Sequence, residues 1–170
     1  MENYILKEVR EKFNNVGYLS AFDFFCIIIW KANRAKTKIA ERLLSYNSDL
    51  EQSVQGLTSK IFSAISDKDK LRVLIDEYKF RLPMASAILS LLYPDNFTIY
   101  DVRVCETLTD YKGLDGVSNF EKLWLGYSDY IKSVRSYEPQ DISLRDKDRF
   151  LWGKSFHEQL NSDIKSNFKK

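Results

Sequence analysis

The sequence predicts an all-α protein, and three observations favour this fold class. Apolar residues recur at intervals of three and four, as in the run Val54, Leu57, Ile61, Phe62 and Ile65, and this spacing puts them on one face of a helix. A serine stands three residues before an acidic residue at six places, a pairing that can satisfy the first amides of a helix. Glycine and proline are scarce, with six and three of 170 residues, and neither clusters into a linker.

These start signals and apolar runs define the predicted helices in chain order. The six serine–acid pairs are Ser20/Asp23, Ser48/Glu51, Ser66/Asp69, Ser118/Glu121, Ser143/Asp146 and Ser155/Glu158. Pro83 opens a further helix at its first turn, where the missing amide of proline costs nothing. The predicted helices cover residues 2–14, 20–31, 34–45, 49–65, 67–78, 83–92, 101–109, 118–136, 144–152 and 155–167.

Two segments compete as strands. Residues 24–29 are β-branched and aromatic, and residues 98–104 nearly alternate apolar and polar side chains. One or two isolated strands would have no sheet to join, which favours the all-α interpretation. The length predicts one multi-helix domain over residues 1–170, with a core at about 20–136 and C-terminal helices over 143–167 that pack back on it.

Charge and targeting signals indicate a cytoplasmic protein without a membrane partner. The net charge of +2 is too small to imply a polyanionic partner by itself. The longest apolar run has seven residues, 24–30, whereas a membrane-spanning helix needs roughly 20. The N-terminal residues lack a basic segment followed by an apolar one, so no secretion signal is visible.

Composition argues against several kinds of catalytic and metal site. The two cysteines, Cys26 and Cys105, are too few for a Cys-only zinc site or a four-thiolate iron–sulfur cluster, and we expect them to be buried thiols. A single histidine, His157, argues against a His-rich metal site and a Ser-His-Asp triad. The glycines form no phosphate-binding loop. We therefore expect no metal and no cofactor.

Basic residues gather in one part of the chain. Five of them lie within twelve residues that contain a single acidic residue: Lys31, Arg34, Lys36, Lys38 and Arg42. Lys79 and Arg81 add two cations just before Pro83. Such a run is either a solvated helix face or a surface that contacts phosphates, and the sequence leaves both interpretations open.

Residues 79–108 carry the most informative pattern. The Ala-Ser-Ala run at 85–87 gives the helix that Pro83 opens a small-residue face, which lets another backbone approach closely. Asp101 then stands at the start of the next predicted helix. A carboxylate there either simply caps that helix or takes part in chemistry.

This segment resembles the helix-hairpin-helix superfamily of DNA glycosylases, the group that contains endonuclease III. The family pattern is a Leu-Pro-Gly-x-Gly hairpin, a helix of the Ala-x-Ala-Ile-Leu type, and a Pro-x-x-Asp turn that supplies the catalytic aspartate. Residues 85–89 look like the second hairpin helix, and residues 97–101 look like the approach to that aspartate. Residues 30–34 and 144–152 also look like parts of a glycosylase-like bacterial family, and no role attaches to either segment.

The resemblance implies a DNA-glycosylase-like helical domain with a helix-hairpin-helix element and monofunctional activity. By that match Asp101 is the catalytic carboxylate, which stabilises the sugar cation and orients water. Pro83 takes the place of the Schiff-base lysine, so no lyase activity is expected. The candidate contacts with double-stranded DNA are Lys31, Arg34, Lys79, Arg81 and Arg103. The candidate base pocket is Trp30, Trp124 and Tyr127, although aromatic residues at helical spacing equally fit a helix core.

Two alternatives to this activity stay open. The hairpin glycines of the family are replaced by Lys79, Phe80 and Arg81, so the tight turn that offers amides to a phosphate is missing or reshaped. That replacement favours a catalytically silent relative that acts as a DNA-binding or protein-interaction module. The other alternative is an unrelated helical enzyme or interaction module.

Overall fold

The computed structural model describes residues 4–168, and every regular element in that range is helical. The all-α prediction is therefore confirmed for the described residues. Of the segments that compete as strands, residues 24–29 lie inside a helix, and residues 98–100 form an irregular stretch ahead of one. The chain divides into two compact units, an N-terminal unit (Met1–Asn96) and a C-terminal unit (Phe97–Lys170). The organisation as a single domain stays a prediction.

The N-terminal unit is built from α-helices with short segments of tighter or wider helix at their ends. Its α-helices are α1 (Arg10–Val16), α2 (Ala21–Ala32), α3 (Lys36–Leu44), α4 (Leu50–Ser63), α5 (Asp67–Arg72) and α6 (Leu82–Leu92). The π-helical segments Tyr4–Val9 and Val73–Glu77 precede α1 and continue α5, and a 3-10 turn, Asn33–Ala35, joins α2 to α3. Residues 2 and 3 of the first predicted helix lie outside the described residues.

The core of the N-terminal unit surrounds α6. Leu82 and all of residues 85–92 are buried, and α6 packs against α1, α2 and α5. The small side chains at 85–87 are fully buried, because their size lets neighbouring helices come close. The α2 helix contributes Phe24, Ile27 and Ile28 to the same core.

The C-terminal unit is formed mainly by three α-helices. They are α7 (Val102–Leu108), α8 (Phe120–Ser136) and α9 (Leu144–Ser162), with a 3-10 turn at Leu114–Gly116 and a π-helical segment, Asp163–Asn167, after α9. The α9 helix packs along α7 and also contacts α8. A hydrogen bond also joins α7 to α9, since Thr107 Oγ1 donates to the Leu151 carbonyl at 3.1 Å.

Three of the six predicted helix starts are confirmed. Ser20, Ser66 and Ser143 each accept a hydrogen bond from the amide three residues later. Two starts are shifted by one residue, since Asp49 caps α4 in place of Ser48 and Asn119 caps α8 in place of Ser118. Serine, aspartate and asparagine are similarly good caps, so the pattern alone did not choose between neighbours.

The prediction of separate helices over 144–152 and 155–167 is wrong. One helix, α9, runs through this region and continues as the π-helical segment. Ser155, the predicted cap, is buried, and its hydroxyl donates to Glu106 Oε2 on α7 at 3.1 Å. The glycine at 153 stays helical because α7 and α8 support the turns ahead of it.

Gly153 and Gly126 provide a matched test of this packing, since both lie inside helices of the C-terminal unit. A Cβ at Gly153 meets no atom within 4 Å outside its local helix backbone, whereas a Cβ at Gly126 lies 2.4 Å from Leu114 Cδ2. Alanine is favoured over glycine in a helix interior by roughly 0.5–1 kcal/mol. We therefore expect Gly153→Ala to raise the free energy of unfolding by about that amount, and Gly126→Ala to lose this gain because the Leu114 side chain must move.

Denaturant unfolding of both variants measures the difference. Equal gains at the two positions would contradict the contact of Leu114 with α8. A loss of stability in Gly153→Ala would contradict a continuous α9.

Candidate functional site

Asp101 caps α7, as one of its two predicted roles requires. Its backbone is extended, and its Oδ1 atom accepts a hydrogen bond from the Arg103 amide at 3.1 Å. The residue is half-buried. The positive end of the helix dipole favours negative charge at this position. The capping hydrogen bond uses one lone pair of Oδ1. It is therefore compatible with a chemical role for the carboxylate.

Two buried tyrosines on α8 fix the backbone that leads to Asp101. The Tyr127 hydroxyl donates to the Thr98 carbonyl at 2.6 Å, and the Tyr130 hydroxyl donates to the Ile99 carbonyl at 2.7 Å. Both tyrosines have 0% exposure. Burial is also the main cause that raises the pKa of the Tyr130 hydroxyl, so this hydroxyl stays protonated and acts as a donor. The start of α7 is therefore positioned by α8.

Further tyrosines surround this backbone. The Tyr100 hydroxyl donates to the Tyr111 carbonyl at 2.7 Å and accepts from the Leu114 amide at 3.1 Å. Burial raises the pKa of Tyr100 to about 12. Burial likewise raises the pKa of the Cys105 thiol to about 11. Cys105 is therefore a buried thiol, as expected, and its raised pKa makes it a poor nucleophile at neutral pH. Cys26 on α2 is only half-buried, so the prediction of two buried thiols holds for Cys105 alone.

The three residues of the predicted base pocket occupy different environments. Tyr127 lies in the core of the C-terminal unit, where its ring stacks against Phe97 and Tyr130 with centroids 6.5 Å and 6.1 Å away. With 0% exposure it has no face open to a base. Trp124 on α8 and Trp30 on α2 are half-buried. Stacking on a base stays a prediction for those two residues.

Arg103 extends from the start of α7 to α9. Its guanidinium carbon lies 5.7 Å from the ring centre of Trp152 and 5.4 Å from that of Phe156. Its Nη1 atom donates to Gln159 Oε1 at 2.6 Å. No motif in the sequence indicates a role for these three partners on α9. Trp152, Phe156 and Gln159 are spaced by four and three residues, which puts them on one face of a continuous helix. The sequence predicted a break between residues 152 and 155, so this shared face was not recognised.

The structure brings the two predicted basic segments together in the N-terminal unit. Arg42 on α3 donates from Nη1 to the Lys79 carbonyl at 2.6 Å, and its guanidinium lies 5.7 Å from the ring centre of Phe80. Arg34, Lys79 and Arg81 are exposed, whereas Lys31 is half-buried. The basic stretch at 31–42 and the connection at 78–81 are therefore neighbours.

Lys79 adopts the backbone conformation that glycine would favour. Its φ angle is +56°, in the left-handed region that costs most residues about 1–2 kcal/mol. The Phe80 amide donates to the Leu74 carbonyl at 2.8 Å, which closes the end of the Val73–Glu77 segment. The chain thus makes a left-handed turn ahead of α6 without a glycine, and one amide of that turn is already hydrogen-bonded within the protein.

Among the buried charged residues, Asp23 and Lys147 have hydrogen-bond partners that account for their burial. Asp23 accepts hydrogen bonds from the hydroxyls of Tyr4 at 2.5 Å and Ser20 at 3.0 Å. Lys147 donates to the carbonyl of Arg135, near the end of α8. Because buried charges need such partners, we interpret both residues as structural.

Within residues 4–168, no helix is long and apolar enough to cross a membrane. In the same range, no cluster of three or more His, Cys, Asp or Glu side chains could hold a metal ion.

Replacing Asp101 tests its role as a cap. We expect Asp101→Ala to lower the free energy of unfolding by about 1 kcal/mol and Asp101→Asn to lower it less, because asparagine caps about as well as aspartate. Asn119→Ala sets the scale in the same unit, since Asn119 Oδ1 accepts from the Lys122 amide at 3.0 Å. Denaturant unfolding compares the three variants. A clear loss in Asn119→Ala without any loss in Asp101→Ala would show that Asp101 does not cap α7.

Comparison of the chain with protein-family models, with curated proteins and with solved structures finds no match. The resemblance to DNA glycosylases therefore rests on the residues and motifs of the chain itself. Functional assignment depends on the geometry around Asp101, Arg103 and the basic residues near Lys79.

Proposed function

We propose that the protein binds double-stranded DNA and hydrolyses the N-glycosidic bond of a damaged or modified base. The observation that carries this proposal is the placement of Asp101, a half-buried carboxylate at the start of α7 on a backbone held by two buried tyrosine hydroxyls. A carboxylate held in this way is suited to stabilise a nearby positive charge, because it pays little reorganisation when that charge develops.

The proposed reaction needs the target base outside the stacked duplex, because its C1′ atom cannot be reached inside it. The bond between C1′ and the base nitrogen breaks with its electron pair on the base, which leaves positive charge on the sugar. Asp101 stabilises that charge and orients a water molecule. The water oxygen bonds to C1′ while one proton passes to the carboxylate. The departing base takes up a proton, either directly from the carboxylate or from solvent to which the carboxylate has released its own. Free base and abasic DNA are the products, and Asp101 is again ionised.

The DNA-binding part of the proposal rests on the N-terminal unit. Arg42 joins α3 to the connection ahead of α6 through the Lys79 carbonyl. The exposed cations Lys79 and Arg81 belong to this connection, next to Arg42 near the end of α3. Neutralisation of phosphates by clustered Lys and Arg side chains is the main source of affinity for duplex DNA.

One observation favours the second candidate, a catalytically silent relative that binds DNA. In the family pattern the hairpin offers backbone amides to a phosphate, whereas here the Phe80 amide is hydrogen-bonded to Leu74 and the Lys79 carbonyl to Arg42. The connection would then hold DNA through side-chain cations. Both candidates share this surface, and they differ in whether Asp101 acts in a reaction.

The binding surface is tested by charge removal. We expect Lys31→Ala, Arg34→Ala, Lys79→Ala and Arg81→Ala each to weaken duplex binding for all DNA sequences and to lower the slope of log affinity against log salt by about one. Lys122→Ala removes an exposed cation of α8 in the other unit and should leave the slope unchanged. Binding curves at several salt concentrations measure the slopes. Wild-type slopes in all four variants would show that this surface does not bind DNA.

The chemical role of Asp101 is tested by Asp101→Asn, which keeps the size of the side chain and removes its charge. We expect base release to fall by orders of magnitude, because the sugar cation loses the charge that stabilises it. Duplex binding should stay near that of the wild type, because asparagine keeps the cap of α7. Duplexes that carry many modified bases are incubated with each protein, and released bases are identified by mass spectrometry. Full base release by folded Asp101→Asn would remove the catalytic role of Asp101. Salt-dependent binding without base release by the wild type would favour the silent relative.

A further inference from the structure

Two aromatic rings of α9 are exposed to solvent beside Arg103. Trp152 and Phe156 are 42% and 43% exposed. Their rings are almost parallel, with an interplanar angle of 6° and centroids 5.4 Å apart. The guanidinium of Arg103 lies over both rings and is held by Gln159. These residues form an exposed aromatic cluster beside a cation, which we name the stacking platform (Arg103, Trp152 and Phe156).

The stacking platform continues into a small cavity and an exposed apolar stripe. The cavity has a volume of about 110 Å³ and is lined by Arg103, Phe156, Gln159, Leu160 and Asp163. Farther along the chain, Leu160, Ile164 and Phe168 are also exposed, at 40%, 54% and 68%. They follow Phe156 at intervals of four residues. Exposed apolar residues that recur in this way, next to a cavity, are a candidate interaction site.

We infer that the stacking platform binds an unpaired nucleobase of single-stranded DNA. Every base has a flat π-face, and parallel exposed rings with a fixed guanidinium match that face in shape and in polarity. The cavity contains one cation, Arg103, and one carboxylate, Asp163. Its local charge therefore balances, which favours contact with an uncharged base over contact with a phosphate.

The platform is tied to the helix that Asp101 begins. The Arg103 amide is the donor to Asp101 Oδ1, and the Arg103 side chain carries the contact with α9. A base bound on the platform would lie against the start of α7, on the same unit as the proposed catalytic carboxylate. The choice of DNA as the source of the base rests on the proposed function. The inference that a base stacks here rests on the rings and the guanidinium of the platform itself.

The experiment compares two single strands of equal length and charge. One is oligo-dT, and the other has the same sugar–phosphate backbone with the bases replaced by abasic analogues. We expect the wild-type protein to bind oligo-dT on the order of tenfold more tightly. This difference should change little with salt, because the bases carry no charge. The variant Trp152→Leu/Phe156→Leu should abolish the difference. Phe22→Leu, which removes an exposed aromatic ring from the N-terminal unit, should keep it.

A spectroscopic readout guards against a variant that does not fold. The fluorescence of Trp152 is the part of the wild-type signal that Trp152→Phe removes. That part should be quenched to saturation by oligo-dT and not by the abasic strand. Absence of base-dependent quenching would overturn the inference, as would a base-dependent affinity that survives in Trp152→Leu/Phe156→Leu.

Two comparisons separate this inference from the proposed function. Equal binding of the base-containing and abasic strands, together with duplex binding and base release, would overturn the stacking platform and leave the proposed function intact. Base-dependent strand binding without base release from any duplex would support the platform and overturn the proposed catalysis. An oligo-U strand of RNA that binds as tightly as oligo-dT would overturn the assignment of the base to DNA.

Discussion

The position of Asp101 depends on two hydroxyl groups of α8. Tyr127 and Tyr130 are fully buried, and each donates to a backbone carbonyl just ahead of Asp101. A buried polar group without a partner costs about 1–3 kcal/mol, so these bonds favour one path for residues 98–99 over alternatives. Asp101 then caps α7, and this cap fixes where α7 begins. The contacts of α7 with α9 follow from that start.

The cap and the proposed chemistry place compatible demands on Asp101. A cap requires an oxygen acceptor at the start of α7, and stabilisation of a sugar cation requires negative charge held in a fixed place. The amide of Arg103 serves the first demand. The helix dipole favours the charge that the second demand requires. A single carboxylate can therefore serve both folding and function, which is why the position of Asp101 in the sequence could not separate the two roles.

A long-range contact organises the basic residues of the N-terminal unit. Arg42 and Lys79 are 37 residues apart, yet the Arg42 guanidinium donates to the Lys79 carbonyl. The same guanidinium lies near the Phe80 ring. These contacts, with the bond from the Phe80 amide to Leu74, hold Lys79 in a left-handed conformation that its side chain does not favour. The chain therefore makes this turn ahead of α6 without a glycine.

Local signals in the sequence determined the helical fold class, three of the helix starts and the alternative in which Asp101 is a cap. Each of these features depends on residues within about one helical turn of each other, so their spacing and side-chain chemistry are enough to predict it. Tertiary structure decided the features that depend on distant partners. It buried Tyr127, because that ring fits against Phe97 and the hydroxyl finds the Thr98 carbonyl. It also made α9 continuous at Gly153, because packing on α7 and α8 outweighs the weak local signal for a helix break. Burial, register and long-range hydrogen bonds are properties of the folded chain, so only the structure could supply them.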